Sequence, residues 1–84
     1  MSADGKRIHV TWYASLREQR GISDESVDTL AGNAAVLFEE LAEIHGVHMQ
    51  RERVRFGVND RIQPWNTPLQ EGDRVAFLPP VAGG

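Results

Sequence analysis

The residues of this chain whose types and spacing point to chemistry are the last six, Pro79-Pro80-Val81-Ala82-Gly83-Gly84. Two consecutive prolines fix φ and remove two backbone donors, so the chain must leave any preceding strand along an extended, polyproline-like path. At about 3.1 Å per residue, six residues reach roughly 18 Å, enough to enter another protein's active site. Gly83 and Gly84 carry no Cβ, so they can thread a narrow channel and take backbone angles closed to other residues. The group presented in this way is a main-chain carboxylate. It is anionic and resonance-stabilised, hence a poor electrophile until it is converted to an acyl adenylate or a similar activated ester. A slim, unhindered glycine is the easiest residue to offer for that attack.

The rest of the chain offers little competing chemistry. There is no cysteine, so no disulfide framework, thiolate metal site or side-chain thiol nucleophile exists, and the cytosol is the expected compartment. His9, His45 and His48 lack the spacing of a metal site, and no metal or bound cofactor is expected. Glu39, Glu40 and Glu43 read as a solvated helix face, since acid/base work would require at least one desolvated carboxylate. Arg51, Arg53 and Arg55 alternate and can line one face of a strand, as a solvated edge or as an attraction for an acidic partner. No phosphate loop or nucleophile triad is visible, so no catalytic residue is expected within this chain alone. A net charge of −3 weighs against nucleic acid as partner. No apolar run approaches the length of a membrane span, and the first residues lack signal-peptide character.

The tail needs a body to carry it, and 84 residues suit a single domain, 1–84, with little room for an internal active site. Residues 1–6 are expected as a flexible lead-in and 79–84 as the projecting tail. Ile8, Val10 and Trp12 alternate with His9, Thr11 and Tyr13, predicting a strand with one covered face. Ala14 to Arg20 favours a short helix closed by Gly21 in the left-handed region. Ser26 to Leu30 is a short, polar strand. The main helix is predicted over Ala34 to His45, capped by Asn33, stopped by Gly46, with Leu37, Leu41 and Ile44 as its apolar stripe. Arg53 to Val58 alternates with Val54, Phe56 and Val58 inward. Asn59-Asp60 is turn chemistry leading to a short edge piece, Arg61 to Trp65, limited by Pro64. After a Glu71-Gly72-Asp73 turn, Arg74 to Leu78 places Val75 and Phe77 opposite Ala76 and Leu78. One amphipathic helix covers one face of such a sheet, which gives an α+β roll with a mixed sheet.

The ending Leu69-Gln70-Glu71-Gly72-Asp73-Arg74-Val75-Ala76-Phe77-Leu78-Pro79-Pro80-Val81-Ala82-Gly83-Gly84 closely resembles that of the molybdopterin synthase small subunit, the MoaD family. Tyr13-Ala14-Ser15-Leu16-Arg17-Glu18, Val58-Asn59-Asp60 and Trp65-Asn66-Thr67-Pro68-Leu69 also fall where that family would place them. The resemblance implies a β-grasp, ubiquitin-like fold and a sulfur-carrier role in molybdenum cofactor biosynthesis. Carried over, Gly84 is adenylated with ATP by a ubiquitin-activating-type adenylyltransferase and converted to a thiocarboxylate with a sulfurtransferase. It then gives its sulfur to cyclic pyranopterin monophosphate in the synthase large subunit. Gly83 provides clearance beside it. Pro79, Pro80, Val81 and Ala82 are implied as tail contacts. Alternation points Tyr13 and Leu78 away from the core on the uncovered sheet face, an exposed apolar pair that invites a partner, with Arg17 close by to pair with an acidic group on it. These positions resemble family contact positions, although phenylalanine is more usual where Tyr13 and Leu78 stand. The chain is then a sulfur-donating, non-catalytic subunit. A sulfur carrier for thiazole (thiamine) synthesis and a ubiquitin-like protein modifier share the tail and remain alternatives.

Overall fold

A computed structural model describes residues 5–80. In chain order the elements are β1 (Lys6–Trp12), α1 (Ala14–Arg20), β2 (Asp24–Thr29), α2 (Ala34–His45), a 3₁₀ turn (Arg51–Arg53), β3 (Arg55–Val58), β4 (Arg61–Gln63) and β5 (Arg74–Leu78). The sheet order is β2-β1-β5-β3-β4, with β1 and β5 parallel at its heart and every other pair antiparallel. With α2 packed across one face, this is the β-grasp roll that the sequence implies.

Register stacks the inward residues into rows. Trp12 and Phe56 flank Phe77, and Val10 and Val58 flank Val75. Phe38 of α2 closes over the first row, its ring centroid 5.1 Å from that of Phe77, which in turn lies 4.9 Å from Trp12 and 5.8 Å from Phe56. Edge-on aromatic packing of this kind adds to the burial of large apolar surface.

The helix ends follow from their caps. The Asn33 Oδ1 accepts from the Val36 N–H at 2.9 Å, while Gly46 and Gly21 close α2 and α1 at φ 70° and 90°. The apolar stripe of α2 differs from the expected one. Ala34, Ala35, Leu37, Phe38 and Leu41 are buried, whereas Ile44 is 65% exposed. At 100° per residue, Ile44 lies about 120° around the helix from Phe38 and falls in the last turn, off the sheet-facing side.

Two further expectations are corrected. Arg51 and Arg53 do not line a strand with Arg55, because residues 51–53 form the 3₁₀ turn, closed by the Val54 N–H donating to the Arg51 carbonyl at 3.0 Å. Arg51 is drawn away by Glu39 at 3.3 Å and by the Trp65 ring, 4.6 Å from its guanidinium. Lys6 is already part of β1, its Nζ donating to the Ala31 carbonyl at 2.9 Å.

One polar knot ties α1, β1 and β2 together. The buried Trp12 Nε1–H donates to Glu25 at 2.7 Å, and the Arg20 guanidinium donates to both Glu25 oxygens at 2.8 Å. Burial pushes the Glu25 carboxyl up, but the hydrogen bonds from Arg20 and Trp12 together outweigh it and hold the group below its ordinary value near 4.5. A depressed folded value means that the knot stabilises fully above the unfolded pKa and is lost as pH falls through the folded one. Glu25→Ala is therefore expected to cost roughly 1–3 kcal/mol at neutral pH, since it orphans a buried indole N–H. The gap from wild type should narrow in acid. Urea unfolding at neutral pH and in acid checks both points, and a gap independent of pH would contradict the assignment.

Candidate functional site

β5 is the central strand, and Pro79-Pro80 ends its pairing at Leu78, so the chain leaves the sheet beside the end of β1. Pro79 is half-buried and Pro80 exposed. Val81, Ala82, Gly83 and Gly84 lie outside the described residues.

The sheet face opposite α2 is open. The register carries one row across it through Asp24, Thr11, Ala76, Gly57 and Ile62. These small central residues form the floor of a shallow groove walled by Tyr13, Ile62 and Leu78. Gly57 keeps that floor low. A Cβ there would stand 3.5 Å from the Ala76 Cβ and 3.9 Å from Leu78 Cδ1, filling the groove without a backbone clash. Tyr13 is fixed because its N–H donates to the Phe77 carbonyl at 3.3 Å while its carbonyl accepts from Leu16 at 3.1 Å, starting α1. Its side chain remains exposed, with the residue 44% accessible.

Alternation in the sequence selected Tyr13 and Leu78, and the structure brings them to one groove. Arg17 lies one turn along α1, exposed and outside that groove. Sequence reasoning missed Ile62, which is 60% exposed between Arg61 and Gln63, and it missed Gly57. A lone large apolar residue in an edge piece, with a glycine inside the neighbouring strand, was the available signal. At the opposite side of the face, Asp24 accepts from the Thr11 hydroxyl at 2.9 Å and stands 3.3 Å from His9 Nε2. The Thr11 hydrogen bond, aided by His9 against a burial cost, holds this carboxyl below its usual range.

Among the described residues, no cluster of His, Cys, Asp or Glu is arranged to hold a metal, and no helix is long and apolar enough to cross a membrane. The arrangement suits docking: a groove with large apolar walls and a polar border, next to the point where the chain departs from the sheet.

Comparison with known proteins agrees with the geometry. Residues 10–84 match the ThiS family. The molybdopterin synthase sulfur carrier subunit of Chlamydomonas reinhardtii is 30% identical over 84 residues, covering 93% of this chain and 99% of that protein. The solution structure of the Haloferax volcanii HVO 2177 protein superposes with a TM-score of 0.81 at 20% identity, over 100% of this chain and 92% of that one, a likeness of fold. A chain in the protein-protein complex of subunits 1 and 2 of molybdopterin-converting factor from Helicobacter pylori matches at a TM-score of 0.61 and 28% identity, over 93% and 99%. The chain therefore belongs to the ThiS family, and within it resembles the molybdopterin synthase sulfur carrier subunits.

Proposed function

We propose that this chain is the sulfur-carrier subunit of a molybdopterin synthase, with Gly84 as the residue that carries the sulfur. The observation that supports this best is the exit of the central strand at Leu78, directly beside an uncovered groove walled by Tyr13, Ile62 and Leu78. A partner seated on the groove receives the following residues without any rearrangement of the domain.

In this reading the Gly84 carboxylate attacks the α-phosphorus of ATP within an adenylyltransferase and pyrophosphate leaves. A sulfur nucleophile from a sulfurtransferase persulfide then displaces AMP at the carbonyl. Cleavage of the remaining S–S bond, using a thiol reductant, leaves a thiocarboxylate. The thiocarboxylate sulfur bonds to cyclic pyranopterin monophosphate within the large subunit, and water cleaves the acyl C–S bond, leaving the sulfur on the pterin and restoring the Gly84 carboxylate. The chain contributes no acid or base to these steps. Its share is binding and delivery, with Gly83 giving clearance and Pro79 to Ala82 spanning the entry.

The family match equally suits a carrier serving thiazole formation, which differs in the acceptor enzyme. A modifier that builds chains on itself fits less well, because the single lysine, Lys6, is already bonded to Ala31.

Intact mass spectrometry after incubation with an activating enzyme, ATP and a persulfide donor should show one oxygen-to-sulfur exchange. The loaded protein, mixed with a large subunit and the pterin precursor, should then yield product. A demonstrably active enzyme set that leaves the mass unchanged would overturn the proposal. For docking, Leu78→Asp and Ile62→Asp should each weaken large-subunit affinity by about 2 kcal/mol or more, as expected when a charge is placed in a desolvated contact. Calorimetry giving wild-type affinity for both would remove the groove from the interface.

A further inference from the structure

The groove has a charged border that the carrier reading does not use. The chain has eight arginines against a net charge of −3. Arg7, Arg20, Arg51 and Arg74 are committed to Asp28, Glu25, Glu39 and Asp60. Among the described residues, Arg17, Arg53, Arg55 and Arg61 make no salt bridge, and all four are exposed.

Three of these four gather on one side of the tail exit. Arg53 and Arg55 border a second groove with Leu78, Pro79 and Pro80, and Arg61 borders the main groove with Tyr13, Ile62 and Leu78. Ile62 and Leu78 belong to both, so the two grooves form one continuous surface. Arg55 is paired directly with Leu78 in the sheet, which sets a cation beside the apolar wall. Glu52 stands in the same groove, but the three guanidiniums of Arg53, Arg55 and Arg61 outnumber its carboxylate, so the border keeps an excess of positive charge. Across the face, on the β2 side, acids stand instead: Asp28, paired with Arg7, and Asp24, which accepts from Thr11 and lies 3.3 Å from His9 Nε2.

Resting on the carrier reading, we infer that the adenylating enzyme, in receiving the tail, presents a carboxylate-lined rim that pairs with an arc of Arg53, Arg55 and Arg61. A surface that covered these guanidiniums without acceptors would strip their water for no return, so a partner seated on Leu78 and Ile62 has to bring acceptors to this side. Arginine suits the task because its planar fork binds a carboxylate through two parallel hydrogen bonds. The one-sided arrangement also gives the encounter a direction: the arc draws the acidic rim in, and contact with Tyr13, Ile62 and Leu78 then holds it. The overall negative charge and the acids on the β2 side disfavour a nucleic-acid strand on the same arc.

The probe is the adenylating enzyme, with association followed by stopped-flow at low and at raised salt. Wild-type association should slow as salt rises. The double variant Arg55→Glu with Arg61→Glu should associate roughly tenfold more slowly and lose most of that salt dependence. Arg55→Lys with Arg61→Lys should recover most of the rate, and Leu78→Asp should act mainly on dissociation. In ATP–pyrophosphate exchange the charge-reversed variant should raise the KM for the carrier and leave kcat unchanged. If wild type supports no exchange, the carrier reading itself fails. Where wild type exchanges normally and the folded charge-reversed variant keeps wild-type KM, association rate and salt slope, the arc alone is overturned. Tight arginine-dependent binding of a DNA or RNA duplex, with enzyme association unaffected, would also overturn it.

Discussion

Removal of Gly84 is expected to abolish sulfur loading while shifting the melting temperature by no more than about 1–2 °C, the scale of a change well below 1 kcal/mol in a domain of this size. The two halves of this result have separate causes. Loading is lost because the new terminal group is displaced by one residue, roughly 3.3 Å, from a reaction geometry that tolerates far less. Stability persists because the core closes at Phe77, the last buried residue among those described. Thiocarboxylate formation by intact mass and unfolding by circular dichroism, measured on the same sample, separate the two. A fall of many degrees would make the terminal residue part of the fold and remove the basis for the carrier proposal.

Phe77→Ala should show the reverse pattern, with collapse of stability and loss of function only as a consequence. Phe77 is fully buried and touches Trp12, Phe38 and Phe56, so one ring joins β1, β3, β5 and α2. Truncating such a residue costs about 3–5 kcal/mol, against a total of roughly 4–13 kcal/mol expected for a chain of this length. The melting temperature should drop by roughly 15–30 °C. Thermal unfolding measures it directly. A loss below about 1 kcal/mol would mean that the aromatic row is not the centre of the core.

The two helices were legible because their signals are local. Asn33, Gly46 and Gly21 each act on neighbours within a turn, and the helix limits they imply are the observed ones. The inward faces of β1 and β5 were also legible, since alternation fixes Ile8, Val10, Trp12, Val75 and Phe77 whichever strands lie beside them. The errors arose where a distant partner decides. Arg51 leaves the strand pattern for Glu39 and Trp65, and Ile44 fits a spacing rule while the sheet meets α2 along a stripe centred on Phe38. The same holds for the candidate site. Tyr13 and Leu78 were found by counting faces, but Ile62 joins them only because β4 pairs with β3 and β3 with β5, a juxtaposition that no single segment encodes.

The parallel pairing of β1 with β5 also bears on how the protein is made. β5 follows every other described strand in the sequence and yet occupies the middle of the sheet, so on the ribosome β1 must wait for its inner neighbour until residues 74–78 have emerged. Closing that long loop before any contact rewards it slows folding and delays it until β5 is available. A truncated product lacking β5 would lack both the central strand and, with Leu78, one wall of the groove, so neither the sheet nor the candidate site could be completed without it.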